Sequence, residues 1–433
     1  MKQSEALVTA FAKNLFQALS RHKVSLENRR SFRALLSAVF LDNVGLAVVY
    51  PIFTPLVLTP YYTLLPSHFP LSLRVLLLGV LIASFPFAQF LAGPLIGHLA
   101  DRKGRKFALT AALFGETVGF FLTAVALMKM SYTMLIISRL FTGFFAGNLL
   151  LCLSAISDME PEAKGRSKSF GIVAGVTGIS FVIAIAIGGM LSNTELFAFF
   201  NSSLPFWALG AFSLINLSII RIFFSESYAP ISPECDSIKM QLKEIRSLFK
   251  SSSLGYLYVS FFFFMLGWIV SLQFLSTFLM EHFTKVKLSI TLIFIGVGLT
   301  WCFGTIILNR LLIKRLKLKK ILFYSLLLSC LTLYLVSEVR SLIAFVHLIL
   351  IGALFASLTW ANCLALISIK APMKLQGKLL GVNQSIATIS MAFAPLFGGL
   401  VGVLDIRTIY LFASTSLLIS ISSLIISKLK NRF

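Results

Sequence analysis

Twelve times along this chain an apolar stretch of about twenty residues gives way to a short polar turn. A helix rises ~1.5 Å per residue, so each stretch can cross a hydrocarbon core of ~30 Å. The stretches lie at 34–58, 75–99, 107–128, 132–157, 169–191, 204–224, 254–280, 288–309, 320–337, 341–366, 378–403 and 407–427. In lipid every backbone N–H and C=O must be paired inside the chain, which at this segment length leaves only helices. The expected fold class is all-α and integral to a membrane, with twelve transmembrane helices. A content of 58% hydrophobic and 12% charged residues exceeds what a soluble core can absorb and agrees with that class.

The net charge of +22 would suit a nucleic-acid surface, but its distribution does not. Of the thirty-eight Lys and Arg, thirty-one fall in one alternating set of segments: 1–33, 101–106, 158–168, 221–253, 310–320, 370–378 and 428–433. The opposite set holds Arg74, Lys129, Lys285, Lys287, Arg340 and Arg407. Short loops rich in Lys and Arg stay on the cytoplasmic side, so both termini are expected there and no nucleic-acid partner is expected. Met1 to Arg33 has no uninterrupted apolar core of the kind a cleavable signal peptide carries, so the first span is expected to direct insertion. Leu7, Phe11, Leu15 and Leu19 recur every four residues, as in an amphipathic helix lying on the cytoplasmic leaflet. The five cysteines show no paired spacing, so neither a disulfide framework nor a metal site is expected.

The chain repeats itself at about 210 residues. Gly178 to Gly189 aligns with Thr388 to Gly399, each ending in Gly-Gly, and Cys152-Leu-Ser-Ala-Ile-Ser157 lies over Cys363-Leu-Ala-Leu-Ile-Ser368. The fifth span thus recurs as the eleventh and the fourth as the tenth. Parallel repeats of six helices are a recurrent plan of secondary transporters, with the substrate held between the halves near the midplane. The expected organisation is a cytoplasmic segment 1–33, a six-helix bundle 34–224, a cytoplasmic linker 225–253, a second six-helix bundle 254–427 and a tail 428–433.

Three ionisable residues stand inside the spans of the first half: Asp42, Glu116 and Arg139. Each costs ~2.5–3.5 kcal/mol at the centre of a span on insertion scales, so such residues are rare unless they pair or work. Counting residues inward places all three near mid-membrane, and Glu116 with Arg139 is the expected ion pair. The functional reading is a proton-coupling centre; the plainer one is a self-neutralised cluster that pins three helices together. The second half offers uncharged candidates for a substrate cavity: Trp268, Gln273, Trp360, Asn362, Asn383 and Gln384. An aromatic, charge-poor half facing an acid-bearing one suits a lipophilic, cationic or zwitterionic solute better than a polyanion.

The turn between the second and third stretches reads Gly97-x-Leu99-Ala100-Asp101-Arg102-x-Gly104-Arg105-Lys106. It resembles the loop 2–3 signature, motif A, of the major facilitator superfamily. Leu41-Asp42-x-x-Gly45-x-x-x-x-x-Pro51 resembles the first-helix signature of tetracycline and related drug:proton antiporters, and Arg139-x-x-x-Gly143 resembles the superfamily's motif B. The resemblance implies a conformational role for Gly97, Asp101, Arg102, Gly104, Arg105 and Lys106, with Asp101 meeting the amino end of the eleventh helix near Lys378 to Gly381. It implies two pseudo-symmetric six-helix bundles and alternating access. The chain departs from the antiporter pattern in the fifth span, where Ala184-Ile-Ala-Ile-Gly188-Gly189 lacks the proline of motif C. No nucleotide-binding loop is present, so energy is expected from a proton gradient, with no cofactor and no enzymatic reaction. The expected protein is a monomeric inner-membrane carrier whose partners are a small-molecule substrate, protons and the lipid bilayer, working as a drug:proton exporter. The rival readings are an uptake carrier for a metabolite such as an amino acid or nucleoside, and a receptor or scaffold that no longer transports.

Overall fold

Apolar sequence this dense leaves helices little choice of partner, so what shapes the molecule is where they break and where they can touch. A computed structural model describes residues 26–160, 163–193, 196–197, 199–227, 253–283, 287–370 and 376–429. The amphipathic segment expected before residue 26, most of the linker and the tail lie outside the described residues.

The first bundle comprises α1 (Leu26–Ala47), α2 (Tyr50–Leu58), α3 (Leu71–Lys103), α4 (Arg105–Met128), α5 (Tyr132–Phe145), α6 (Asn148–Met159), α7 (Ala163–Leu191) and α8 (Leu204–Phe223). The second comprises α9 (Ser253–Gln273), α10 (Leu275–Phe283), α11 (Lys287–Phe303), α12 (Asn309–Ile313), α13 (Leu318–Glu338), α14 (Leu342–Lys370), α15 (Gln376–Gly402) and α16 (Thr408–Leu429). Together they make twelve membrane-length spans among the described residues, three of which are helix pairs, α1 with α2, α5 with α6 and α11 with α12. The first breaks where Pro51, which has no N–H to give, opens α2. The second breaks at Ala146–Gly147, and a π turn at Gly304–Leu308 joins α11 to α12.

The polar hairpin turns out tighter than its sequence suggests. Helix α3 runs on through Asp101 to Lys103, and the corner into α4 is Gly104 alone, at φ +91°. A Cβ there would also strike the carboxylate of Glu226, so both backbone and space call for glycine. At the other end of α3, Arg74 is buried and donates to the carbonyls of Val57 at 2.8 Å, Pro66 at 2.7 Å and Phe69 at 3.2 Å. It ties the connection between α2 and α3 across the end of the bundle.

Contacts between the halves gather at the end away from the hairpin. A Cβ on Gly79 of α3 would run into the carbonyl of Pro395 on α15 and come 3.2 Å from Cα of Gly399. Gly189 of α7 abuts Thr291 of α11, and Ser276 of α10 donates to the carbonyl of Tyr50 at 3.3 Å. The Gly-Gly pairs of the repeat therefore mark where α7 and α15 meet the opposite bundle, the use small residues have between membrane helices. Nearer the hairpin a Cβ on Gly178 of α7 would still lie 3.4 Å from Sγ of Cys302 on α11, whereas on Gly93 or Gly97 of α3, or on Gly171 or Gly175 of α7, it would meet none of the described residues within 4 Å. The tight glycine contacts between the halves thus lie at the end away from the hairpin.

Candidate functional site

The break in the fourth span builds the centre of the first bundle. Because α6 starts afresh at Asn148, its first turn carries N–H groups without helical partners, and these favour an anion. Asp42 of α1 lies close to this turn, near Asn148 and Leu149, and its Oδ1 has no hydrogen-bond partner among the described residues. Glu116 of α4, the neighbouring acid, accepts a hydrogen bond from Asn148 Nδ2 at 2.7 Å. Both acids are buried. The structure thus brings together two of the three charges singled out in the sequence and adds Asn148, which the sequence reading passed over. Its signal is a lone amide directly after Ala146-Gly147, where a helix can restart.

Arg139 is buried on α5 but does not form the ion pair expected with Glu116. Asn148 donates to that carboxylate, and the guanidinium lies instead over the rings of Phe85, 4.4 Å from the centroid, and Phe53, 5.8 Å away. Cation–π contact offsets part of the cost of burying the charge. Nη1 has no hydrogen-bond partner among the described residues. Arg139 lines a recess of about 10 Å³, room for one water-sized group, bounded also by Tyr50 of α2, Phe85 and Pro86 of α3 and Gln273 of α9. Gln273 is the one cavity candidate from the second half that reaches this place, and its Oε1 also lacks a partner.

The other candidates lie elsewhere. Trp268 stacks on Trp301 with centroids 5.6 Å apart, and Trp301 meets Trp360 at 6.3 Å, forming an aromatic chain across α9, α11 and α14. Asn362 donates to Asn309 Oδ1 at 2.7 Å and so ties α14 to α12. Asn383 and Gln384 sit on α15, the first buried and the second half-buried.

At the hairpin, Arg105 reaches Asp101 at 2.7 Å and Asp158 of α6 at 3.2 Å. Glu226, just after α8, accepts the backbone N–H groups of Arg105 at 2.8 Å and Lys106 at 3.0 Å, capping α4 with a carboxylate. Arg102 is exposed. Helix α15 begins at Gln376, close to where the aspartate's partner is expected, but the side chains of 376–381 lie outside the described residues.

Two six-helix bundles that enclose buried charges are the plan of secondary transporters. The sequence matches the family model of the Major Facilitator Superfamily over residues 35–328 and 257–431, and the chain belongs to that family. It is 24% identical to multidrug resistance protein 1 of Bacillus subtilis over 393 residues, 90% of this chain and 94% of that protein. It is 28% identical to the class H tetracycline resistance protein of Pasteurella multocida over 200 residues, 46% of this chain and only 45% of that protein's length. In structure it is similar to a bacterial homologue of the lysosomal transporter Spinster, in an inward-facing and occupied conformation. The TM-score is 0.74 at 16% identity, covering 93% of this chain and 97% of that one. A D-xylose–proton symporter aligns with the same TM-score of 0.74 at 14% identity, covering 91% and 96%. These likenesses fix the fold, and the family makes the chain a secondary transporter, not an enzyme.

Proposed function

We propose that this transporter exports a small lipophilic solute across the inner membrane in exchange for protons, with both termini in the cytoplasm. The observation that carries the reading is that Asp42 and Glu116 are both buried beside Asn148 with no cation in ion-pair contact among the described residues. Burial disfavours the charged form of each carboxyl and two neighbouring acids cannot both stay ionised, so the pair is suited to hold a proton. Separation of the acids, or entry of water or a cation, then releases it. The hairpin end is the basic end of the chain and on that ground is taken as cytoplasmic; with the tight glycine contacts between the halves at the other end, the conformation is read as inward-facing. In that state Asp101 has Arg105 as its partner. Drug-resistance proteins among the relatives favour export of drug-like molecules.

The second reading is proton-driven uptake, favoured by α7, which runs unbroken from Ala163 to Leu191 without the proline of the antiporter signature. Proteoliposomes separate the two. With a fluorescent lipophilic cation and a zwitterionic dye as probes, an imposed pH gradient should drive probe against the proton flow. Flow of both in the same direction would favour uptake, and no gradient-driven movement of any probe would remove proton coupling.

A further inference from the structure

The recess beneath Arg139 has two unmet polar atoms, one from each half of the molecule. A guanidinium buried to this depth is normally neutralised by a carboxylate in direct contact. Here Glu116 is engaged with Asn148, no carboxylate lies within ion-pair distance of Arg139 among the described residues, and Nη1 is left with no partner among them. Across the recess, Oε1 of Gln273 is also buried and unpaired. An unmade hydrogen bond inside a low-dielectric site is costly, and two of them facing one small space are the imprint of a group that satisfies both.

We propose that this recess is the subsite for a carboxyl group of the transported molecule, so that the preferred cargo is a lipophilic acid or zwitterion. The proposal rests on the reading that the space between the halves carries substrate. A protonated carboxyl fits as it stands: its C=O accepts from Arg139 Nη1 and its O–H donates to Gln273 Oε1. A carboxylate fits after the Gln273 amide turns over, taking one N–H from each side and gaining the charge-assisted bond to the guanidinium. A quaternary ammonium offers neither an acceptor nor a donor and would be set against a cation. The recess of about 10 Å³ has room for one water-sized group, so only the carboxyl oxygens reach into it and the carbon and body of the cargo stay in the space between the bundles. Because Arg139 stands on α5 and Gln273 on α9, a bound carboxyl also bridges the two halves and holds them in this conformation.

The test uses the purified full chain and three probes that share a naphthalene ring: 1-naphthylacetate, its methyl ester and (1-naphthylmethyl)trimethylammonium. Binding is read from thermal unfolding and from quenching of tryptophan fluorescence, with no gradient present. The acid should bind at least tenfold more tightly than the other two. Gln273→Leu should weaken it at least fivefold and leave the ester unchanged. Gln273→Glu should abolish acid binding, because the new carboxylate occupies Arg139, and should also keep the protein folded, which Arg139→Gln need not do. Equal affinity for all three probes, or unchanged acid affinity in both Gln273 variants, would overturn the proposal. If sodium acetate alone reproduced the whole stabilisation at equal concentration, the recess would be a free-anion site and the assignment to cargo would fall. None of these outcomes depends on coupling, so failure here leaves the proton reading standing, and loss of gradient-driven transport leaves the carboxyl subsite standing.

Discussion

Gly79→Ala should shift the molecule away from the conformation described here. The added Cβ would lie against the Pro395 carbonyl well inside contact distance and 3.2 Å from Cα of Gly399, where both neighbours are backbone and cannot swing aside. Overpacking of this kind costs ~1–3 kcal/mol. The contact belongs to the end away from the hairpin, so the penalty falls on this state and spares the one in which α3 and α15 part there. A bias of ~1–3 kcal/mol between two states is a factor of ~5–150 in their ratio. Tyr61 and Leu404 are 87% and 82% exposed at that end and suit spin labels, once the native cysteines are replaced. Pulsed electron–electron distance measurement should then find a second, longer population in Gly79→Ala that the parent lacks. Identical distributions in a variant of normal melting temperature would show that the glycine contact does not set the conformational balance.

Three further variants test the supports of the site. Asn148→Leu removes the donor to Glu116 and should cost ~1–3 kcal/mol in denaturant-based stability; combined with Glu116→Gln the loss should fall clearly short of the sum, and additive losses would mean the two do not act together. Arg74→Met breaks three hydrogen bonds from a buried cation and should cost more than ~3 kcal/mol while exposing the 59–70 connection to protease, so a protein cut no faster than the parent would contradict the clamp. Glu226→Ala removes the cap of α4, worth ~0.5–2 kcal/mol, and should speed hydrogen exchange at the amides of Arg105 and Lys106; unchanged exchange there would refute it.

The spans were legible because a membrane forces long apolar helices, and the repeat was legible because matching helices of the two halves make matching close contacts. Gly188-Gly189 and Gly398-Gly399 stand out in sequence for the reason they matter in space. The breaks were less visible. No proline marks the corner at Ala146–Gly147, so the fourth span reads as one helix and Asn148 as one more residue inside it. Counting residues gave the depths of Asp42, Glu116 and Arg139 but not their rotation about each helix axis, and rotation decides that Glu116 faces Asn148 while Arg139 faces Phe85. Arg74 reads as a surface charge in sequence, yet it is buried with its guanidinium bonded to the carbonyl of Val57 at the end of α2 and to those of Pro66 and Phe69 in the adjoining connection. Glu226 reads as linker, since nothing local announces a partner 121 residues earlier.

Coupling through the Asp42–Glu116 proton is tested most directly by comparing two modes of transport in the same proteoliposomes. Asp42→Asn keeps the size and hydrogen-bonding capacity of the side chain but removes the carboxyl that shares the proton. Exchange of labelled for unlabelled substrate across the membrane needs only alternating access, whereas accumulation driven by a pH gradient needs protons to move with each cycle. The variant should retain exchange at a rate comparable to the parent and lose gradient-driven accumulation. Accumulation by Asp42→Asn at the parent's level would contradict the account.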